Sequence, residues 1–371
     1  MHIIFWQKII SPHQSSFLKA LAKIDGIEVS LVVDEIMDRK RLGMGWEVPE
    51  MGRVNVLMSD NYTFIRQMVI NSNRSTYHIF SGINYTPALS RAFILAIKHN
   101  VNIGIMAESY DWHGVKGRLR YVRSIIQRIK YNGKIDFILA IGNKGIEWFK
   151  KTGYSEMKIF EWGYFIDPVD VVVQTEPIPD EFNVVFVGSL FRGKGVDILI
   201  EAASKIKEEK FQINIVGEGP EKQALVDLVK SYNMKNITFL NFMQNEAVQR
   251  FIRKHDLLVL PSRRKDGWGA VVNEALMQGT PVVCSESCGA SVLLCERNYS
   301  DVFESGNAVS LADTLRKQIL RGKLSSQDRQ RIVKWSECIN GDRAASYFLE
   351  IVNSNLFKHK SKPVPPWEKC S

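Results

Sequence analysis

Hydrophobic residues fall along this chain in short runs, separated by longer stretches in which they recur every three or four positions. In the first half the runs IIFW (3–6), VSLVV (29–33), VNVLM (54–58), YHIF (77–80), NIGIMA (102–107) and FILAIG (137–142) read as strands. In the second half NVVFVG (183–188), FQINIVG (211–217), ITFLN (237–241), LLVLP (257–261) and TPVVCS (280–285) do the same. Segments such as VDILIEAASKIKEE (196–209) and PEKQALVDLVKSY (220–232) carry the helical period instead. Strand and helix in alternation predict parallel sheets covered by helices on both faces, an α/β fold. The alternation occurs twice, which predicts two similar domains.

Length supports that division, since single cores stop growing near ~250–300 residues and this chain has 371. Residues 167–181, DPVDVVVQTEPIPDE, hold three prolines and no glycine, so a linker is expected at 169–181. It separates a first domain, 1–168, from a second, 182–340. Residues 341–371 form a closing helix and tail, expected to pack back toward the first domain. The helix should run from about Trp335 to about Phe357, and KHKSKPVPPWEKCS beyond it reads as extended or disordered.

Composition narrows the class. No apolar run approaches the ~20 residues that span a bilayer. The opening MHIIFWQKII has no basic n-region or cleavage site, so no signal peptide is expected. Five cysteines, Cys284, Cys288, Cys295, Cys338 and Cys370, are odd in number and form no CxxC pair. That fits a reducing cytoplasm better than a disulfide framework or a zinc site.

The net charge is +9, and its distribution matters more than its sum. Residues 116–134, KGRLRYVRSIIQRIKYNGK, contain Lys116, Arg118, Arg120, Arg123, Arg128, Lys130 and Lys134 and no acid. Leu119, Val122, Ile126 and Ile129 share one helical stripe. The pattern predicts an amphipathic helix packed on its own domain with a solvated basic face. That basic face is also a candidate contact for anionic lipid headgroups. Aromatic interleaving is too thin for a nucleic-acid platform, so nucleic acid is not an expected partner.

The most informative stretch is LPSRRKDGWGAVVNEALMQGTPVVCS (260–285). A buried strand ends at Leu260, a loop with two glycines follows, and a helix carries Glu274 until Gly279 and Pro281 stop it. Asp266 and Glu274 thus flank a loop at the carboxyl end of a strand, where ligands bind in open α/β sheets. The carboxylates, the loop Gly267, Trp268, Gly269 and Ala270 with its free N–H groups, and a helix start suit a sugar joined to a diphosphate. Glu274 can accept hydrogen bonds from vicinal hydroxyls of a ribose or hexose.

Two further loops belong with it. VVFVGSLFRGKGVDILIEA (184–202) is a strand, then a loop with Gly188, Ser189, Arg192, Lys194 and Gly195, then a helix. Its cations sit where a diphosphate would be neutralised, beside a helix start. The spacing is neither a Walker loop nor G-x-G-x-x-G. In NIVGEGPEKQ (214–223), Gly217 and Gly219 follow a strand and Pro220 is placed to begin a helix. This is either a tight turn or a loop lying under a nucleotide.

Together these stretches resemble the family 4 retaining glycosyltransferases, of GT-B architecture, over roughly 183–310. The matching residues are Gly188, Lys194 and Gly195, then Gly217, Gly219 and Pro220, then Asp256, Pro261, Ser262, Asp266, Gly267, Gly269, Glu274, Ala275, Gly279, Pro281 and Val282. The resemblance implies two Rossmann-like domains with parallel sheets facing across a cleft, closing over the donor to exclude water. It implies a donor site in the second domain. There Lys194 and Arg192 bind the diphosphate, Glu274 the ribose, and Asp266 with the following loop amides the donor sugar. The chain departs from the family in having Asp266 where Glu is usual, and Ser189 where Arg often follows the strand glycine.

In the first domain ISPHQSSFLKAL (10–21) stands where many members have a Gly-Gly loop, and SPHQ is similar to bacterial polysaccharide enzymes of the family. His13 and Gln14 lie in that loop. Members also often carry a His beyond a mid-domain strand; here Glu108 ends the strand and His113 follows in YDWHG. These four are the acceptor-side candidates, and Glu108 and His113 join Asp266 and Glu274 as catalytic candidates.

The implied reaction is transfer, with retention, from a nucleotide-diphosphate sugar to a hydroxyl of a saccharide, lipid-linked, in O-antigen or capsule assembly at the inner face of the cytoplasmic membrane. No D-x-D triplet occurs, so no obligatory metal is expected, nor any cofactor beyond the nucleotide sugar as co-substrate. The rival readings are a sugar-nucleotide epimerase or phosphorylase of similar fold, and a non-catalytic nucleotide-sugar-binding protein.

Overall fold

The computed structural model describes all residues except 39–41, 43–46, 84–85, 168–180, 264–265, 295–298, 358–360 and 370–371; side chains at 245–246 and 356–357 are also outside the description. The linker expected at 169–181 lies outside the described residues but for Glu181, as do Cys295 and Cys370. The chain divides into two compact units, Met1–Asp167 with Cys338–Ser371, and Pro168–Glu337.

The strands of the first unit are β1 (His2–Gln7), β2 (Glu28–Val33), β3 (Asn55–Met58), β4 (Thr76–Phe80), β5 (Asn102–Glu108), β6 (Phe137–Ile141) and β7 (Ile159–Trp162). Those of the second are β8 (Phe182–Val187), β9 (Phe211–Val216), β10 (Ile237–Leu240), β11 (Leu257–Leu260), β12 (Val282–Ser285) and β13 (Asp301–Phe303). Both sheets are parallel, in the orders β3-β2-β1-β4-β5-β6-β7 and β10-β9-β8-β11-β12-β13. Each predicted strand is present within a residue or two of its expected limits. The additions are β7 and β13, which lie at sheet edges and are short, with Glu161 and Asp301 interrupting any apolar run.

The helices are α1 (Pro12–Ala22), α2 (Tyr62–Ile70), α3 (Pro87–His99), α4 (Gly114–Tyr131), α5 (Gly142–Lys151), α6 (Val196–Ser204), α7 (Lys222–Ser231), α8 (Asn245–Arg253), α9 (Val271–Met277), α10 (Ala308–Arg321), α11 (Ser326–Ser336), α12 (Gly341–Phe357) and α13 (Pro366–Lys369). In both sheets the winding direction reverses beside the first strand of the unit, between β1 and β4 and between β8 and β11. At such a switch point the two loops leaving neighbouring strand ends diverge to opposite faces and leave an opening between them.

α12 belongs to the first unit although it lies at the end of the chain. It seats Phe348 against Phe17 and Phe5, with ring centroids 5.5 and 5.9 Å apart, and Tyr347 stacks on Trp162 at 5.8 Å. The tail beyond it corrects an expectation. Rather than remaining extended, Pro366–Lys369 makes a helical turn that buries Trp367 against Phe165. A large aromatic ring removes enough apolar surface from water to hold a proline-rich segment down.

α4 corrects another. It is helical, as its period predicts, but its apolar stripe does not pack on the unit. Val115, Leu119, Val122, Ile126 and Ile129 are 76, 66, 53, 58 and 70% exposed. The buried positions are Gly117, Ser124 and Tyr131, seven residues apart on the opposite side. Gly117 is needed there, because a Cβ would lie 2.1 Å from the carbonyl carbon of Trp112. Tyr131 packs edge-on to Phe93, Tyr121 donates to the Lys151 carbonyl, and Arg128 donates to the Gly153 carbonyl.

In the second unit, Asp256 is an anchor. It is 2% exposed, accepts the Asn183 N–H at 2.8 Å, and pairs with Arg329 at 3.2 Å and Lys323 at 3.4 Å. It therefore ties the starts of β8 and β11 to α11, away from the strand ends where the site lies.

Candidate active site

In the second unit, the switch point between β8 and β11 brings together the loops singled out in the sequence. The loop after β8 turns through a short 3-10 segment, Arg192–Lys194, capped by Gly195 at φ 70°. A Cβ on Gly195 would lie 2.0 Å from the Pro261 carbonyl oxygen, so only glycine lets the two loops meet backbone to backbone. The Arg263 N–H donates to the Gly193 carbonyl at 2.9 Å, a second tie between them. The loop after β9 docks in the same way: at Gly217, φ 149°, a Cβ would lie 1.9 Å from the Gly188 oxygen. The Leu190 N–H donates to the Glu218 carbonyl at 2.8 Å.

Into this frame project Lys194 and Asp266. The Lys194 ammonium lies 2.6 Å from Asp266 Oδ2, and the same oxygen accepts from the Ser262 hydroxyl at 2.7 Å. Their side chains are 21 and 11% exposed, so the pair is shielded without being sealed. The Gly289 N–H donates to the Asp266 carbonyl and the Ala290 N–H to that of Trp268, which fixes the loop after β12 to the Asp-Gly-Trp-Gly turn. Among the described residues the N–H groups of Gly267 and Gly269 donate to no acceptor.

Glu274 lies in the first turn of α9. Burial pushes its carboxyl up to about 7. Beneath the turn, Cys288 donates to the Trp268 carbonyl. Its hydrogen bond to Cys284, together with burial, pushes the Cys284 thiol up and keeps it neutral.

Several sequence expectations change in detail. Trp268 is 1% exposed and its indole donates to Asn273 at 2.7 Å, so its side chain is core rather than ligand surface; only its backbone lies on the loop. Pro220 precedes α7 by two residues and sits in the turn, not at the first helical position. Ser189 and Arg192 are exposed beside the cluster, and Ala270 leads into α9. Arg263 escaped the sequence reading. Its guanidinium pairs with Asp197 at the start of α6, so it braces the Lys194 loop from below. No period or motif marks it; it is one of two adjacent arginines in a polar loop.

In the first unit a second cluster forms. The Tyr164 hydroxyl donates to Glu108 Oε1, and its ring stacks on His13 with centroids 4.7 Å apart and planes 7° from parallel. The register of β5, β6 and β7 aligns Glu108 with Ile141 and Ile141 with Trp162, which puts Tyr164 just past the same sheet edge. Tyr164 was not foreseen, because it follows a strand of only four residues, broken by Glu161. Gln14 is buried in the first turn of α1, and its Oε1 accepts no hydrogen bond among the described residues. His113 stands apart at the start of α4, hydrogen-bonded to Asp111 at 3.1 Å. Among the described residues no three His, Cys, Asp or Glu side chains group as a metal site.

The comparisons agree with this geometry. Residues 172–335 match the model of the family described as glycosyl transferases group 1. An uncharacterised glycosyltransferase of Methanocaldococcus jannaschii is 29% identical over 165 residues, 43% of this chain and 46% of that protein. The O-antigen biosynthesis glycosyltransferase WclY of Escherichia coli is 32% identical over 113 residues, 28% of this chain and 31% of its own. The chain thus spans less than half the length of these curated relatives. Among solved structures, that of Anabaena HepE in complex with UDP superposes with a TM-score of 0.71 at 15% identity, covering 95% of this chain and 100% of that one. The chain has the two-domain α/β GT-B fold, and within it residues 172–335 match the glycosyl transferases group 1 model.

Proposed function

We propose that this protein is a retaining glycosyltransferase. It moves a sugar from a nucleotide diphosphate to a hydroxyl of a lipid-linked saccharide, in surface-polysaccharide assembly at the inner face of the cytoplasmic membrane. The observation that carries the reading is the meeting of Lys194 and Asp266 at 2.6 Å at the start of the Asp-Gly-Trp-Gly turn, whose Gly267 and Gly269 N–H groups donate to no acceptor among the described residues. A cation, an acid and loop N–H groups in one turn match a ligand that has both phosphate and hydroxyl groups. The UDP named for the HepE structure and the O-antigen role named for WclY support the same chemistry.

In this reading the diphosphate takes the Lys194 ammonium from Asp266 and is held further by Arg192. As the glycosidic bond breaks, charge accumulates on the leaving phosphate, and these donors stabilise it more than they stabilise the intact donor. Asp266, released, accepts from donor-sugar hydroxyls, and Glu274 bonds the ribose. The acceptor hydroxyl attacks on the face the phosphate leaves, and its proton passes to a phosphate oxygen. His13, Tyr164 and Glu108 form the acceptor-side surface in this reading.

The test is a thermal-shift screen of sugar nucleotides followed by a transfer assay with acceptor present and absent. Binding to the native state raises apparent stability. Stabilisation by a sugar nucleotide, with turnover only when acceptor is added, is expected. Donor epimerisation without acceptor, or binding without turnover toward any saccharide acceptor, overturns the reading.

A further inference from the structure

We infer that the exposed face of α4 is a docking surface for an anionic lipid bilayer, with its apolar stripe inserted and its cations at the headgroups. This deepens the proposed function by assigning the surface that holds the enzyme at its membrane.

The argument rests on the orientation of the helix. An ordinary amphipathic helix turns its apolar side inward. α4 turns in Gly117, Ser124 and Tyr131, and presents Val115, Leu119, Val122, Ile126 and Ile129 to solvent. Single exposed apolar residues are common on protein surfaces, whereas a contiguous stripe marks an interaction site. From Val115 to Ile129 the stripe is about 21 Å long at the rise of an α-helix.

Its flanks name the partner. At 100° per residue, Lys116, Arg123 and Lys130 lie along one side of the stripe and Arg118 along the other. Between residues 114 and 134 there is no acidic residue. Arg120 and Arg128 are engaged with backbone carbonyls of the unit, but Lys116, Arg118 and Arg123 pair with no carboxylate among the described residues. An apolar strip flanked by Lys116, Arg123 and Lys130 on one side and Arg118 on the other is the composition of a helix lying in the headgroup layer, apolar side down. A second copy of this chain fits less well, since two such faces laid together would oppose like charges. No described helix is long and apolar enough to cross the membrane, so docking would be from one side.

Flotation of the full chain with vesicles tests this without turnover. Vesicles of phosphatidylcholine containing phosphatidylglycerol should carry the protein, and phosphatidylcholine alone should carry little. L119Q/I126Q/I129Q changes exposed positions only, so it should keep the native melting temperature and lose flotation. K116Q/R118Q/R123Q should reduce partitioning about a hundredfold, and added salt should reduce native binding in the same direction. Equal flotation of the native chain and the L119Q/I126Q/I129Q variant overturns the inference. So does a native chain that floats with neither vesicle, or one that dimerises in solution through this face as shown by loss of the dimer in the same variant. Nucleoside diphosphate binding measured alongside separates the two proposals: it should be unchanged in both variants.

Discussion

Lys194 Nζ and Asp266 Oδ2 lie 2.6 Å apart, although 72 positions separate the residues in the chain. Each satisfies the other, so an anion bound at Lys194 and Asp266 would compete for the same ammonium. Asp266→Asn removes the competitor. A nucleoside diphosphate should then bind more tightly while sugar transfer falls. Lys194→Ala should weaken the same binding by roughly ten- to a hundredfold, the loss of one charge-assisted hydrogen bond. Calorimetry with UDP, GDP and ADP reads both, and an unchanged affinity in Asp266→Asn would show that the pair does not gate the site.

Glu274 makes pH dependence informative. Its carboxyl is pushed up to about 7 in the folded state by burial, from an ordinary value of 4.5. Between those values the native state binds more protons than the unfolded chain, so this group's contribution to stability falls as pH rises through the window. Glu274→Gln carries no such penalty. The variant should melt close to the native protein near pH 4.5, increasingly above it as pH rises toward 7, and by a constant margin beyond, in parallel melting curves without ligand. Transfer should drop by about a hundredfold or more if its donor contact strengthens in the transition state.

Tyr164→Phe isolates the hydroxyl that reaches Glu108 while keeping the ring that stacks on His13. Loss of one positioning hydrogen bond should cost about tenfold in turnover, with nucleoside diphosphate affinity unaltered. Native turnover in the variant would remove this cluster from the reaction.

Asp256 serves stability rather than chemistry. Replacing it with Ala leaves Arg329 buried without its carboxylate and the Asn183 N–H without an acceptor. Removal of one partner from a buried pair costs about 3–5 kcal/mol. Denaturant unfolding should show that loss, with no change in nucleotide affinity under conditions where the variant stays folded.

The alternation of strand and helix, and with it the fold, was legible because central strands of a parallel sheet are buried on both faces and read as continuous apolar runs. Asp301–Phe303 escaped because it is three residues long, partly exposed and begins on an acid, and Ile159–Trp162 because four residues broken by Glu161 are too short a run to stand out, buried though the rest are. The glycine loops were legible for a steric reason: at Gly195 and Gly217 no side chain fits, so the sequence must carry glycine there. Tyr164 and Arg263 were not, since tertiary approach alone gives them their neighbours. The helix 114–131 teaches a different limit. Periodicity located the stripe of Leu119, Val122, Ile126 and Ile129, but period carries no sign, and only packing through Gly117, Ser124 and Tyr131 reveals which side is inward.

The placement of α12 has a consequence for biosynthesis. Phe348 and Tyr347 cover Phe5, Phe17 and Trp162, yet they are translated after the entire second unit. A chain made only as far as residue 340 would lack the helix that covers this aromatic core. The first unit therefore completes its core only after the whole of the second has been translated, a vectorial delay between making the sheet and covering it.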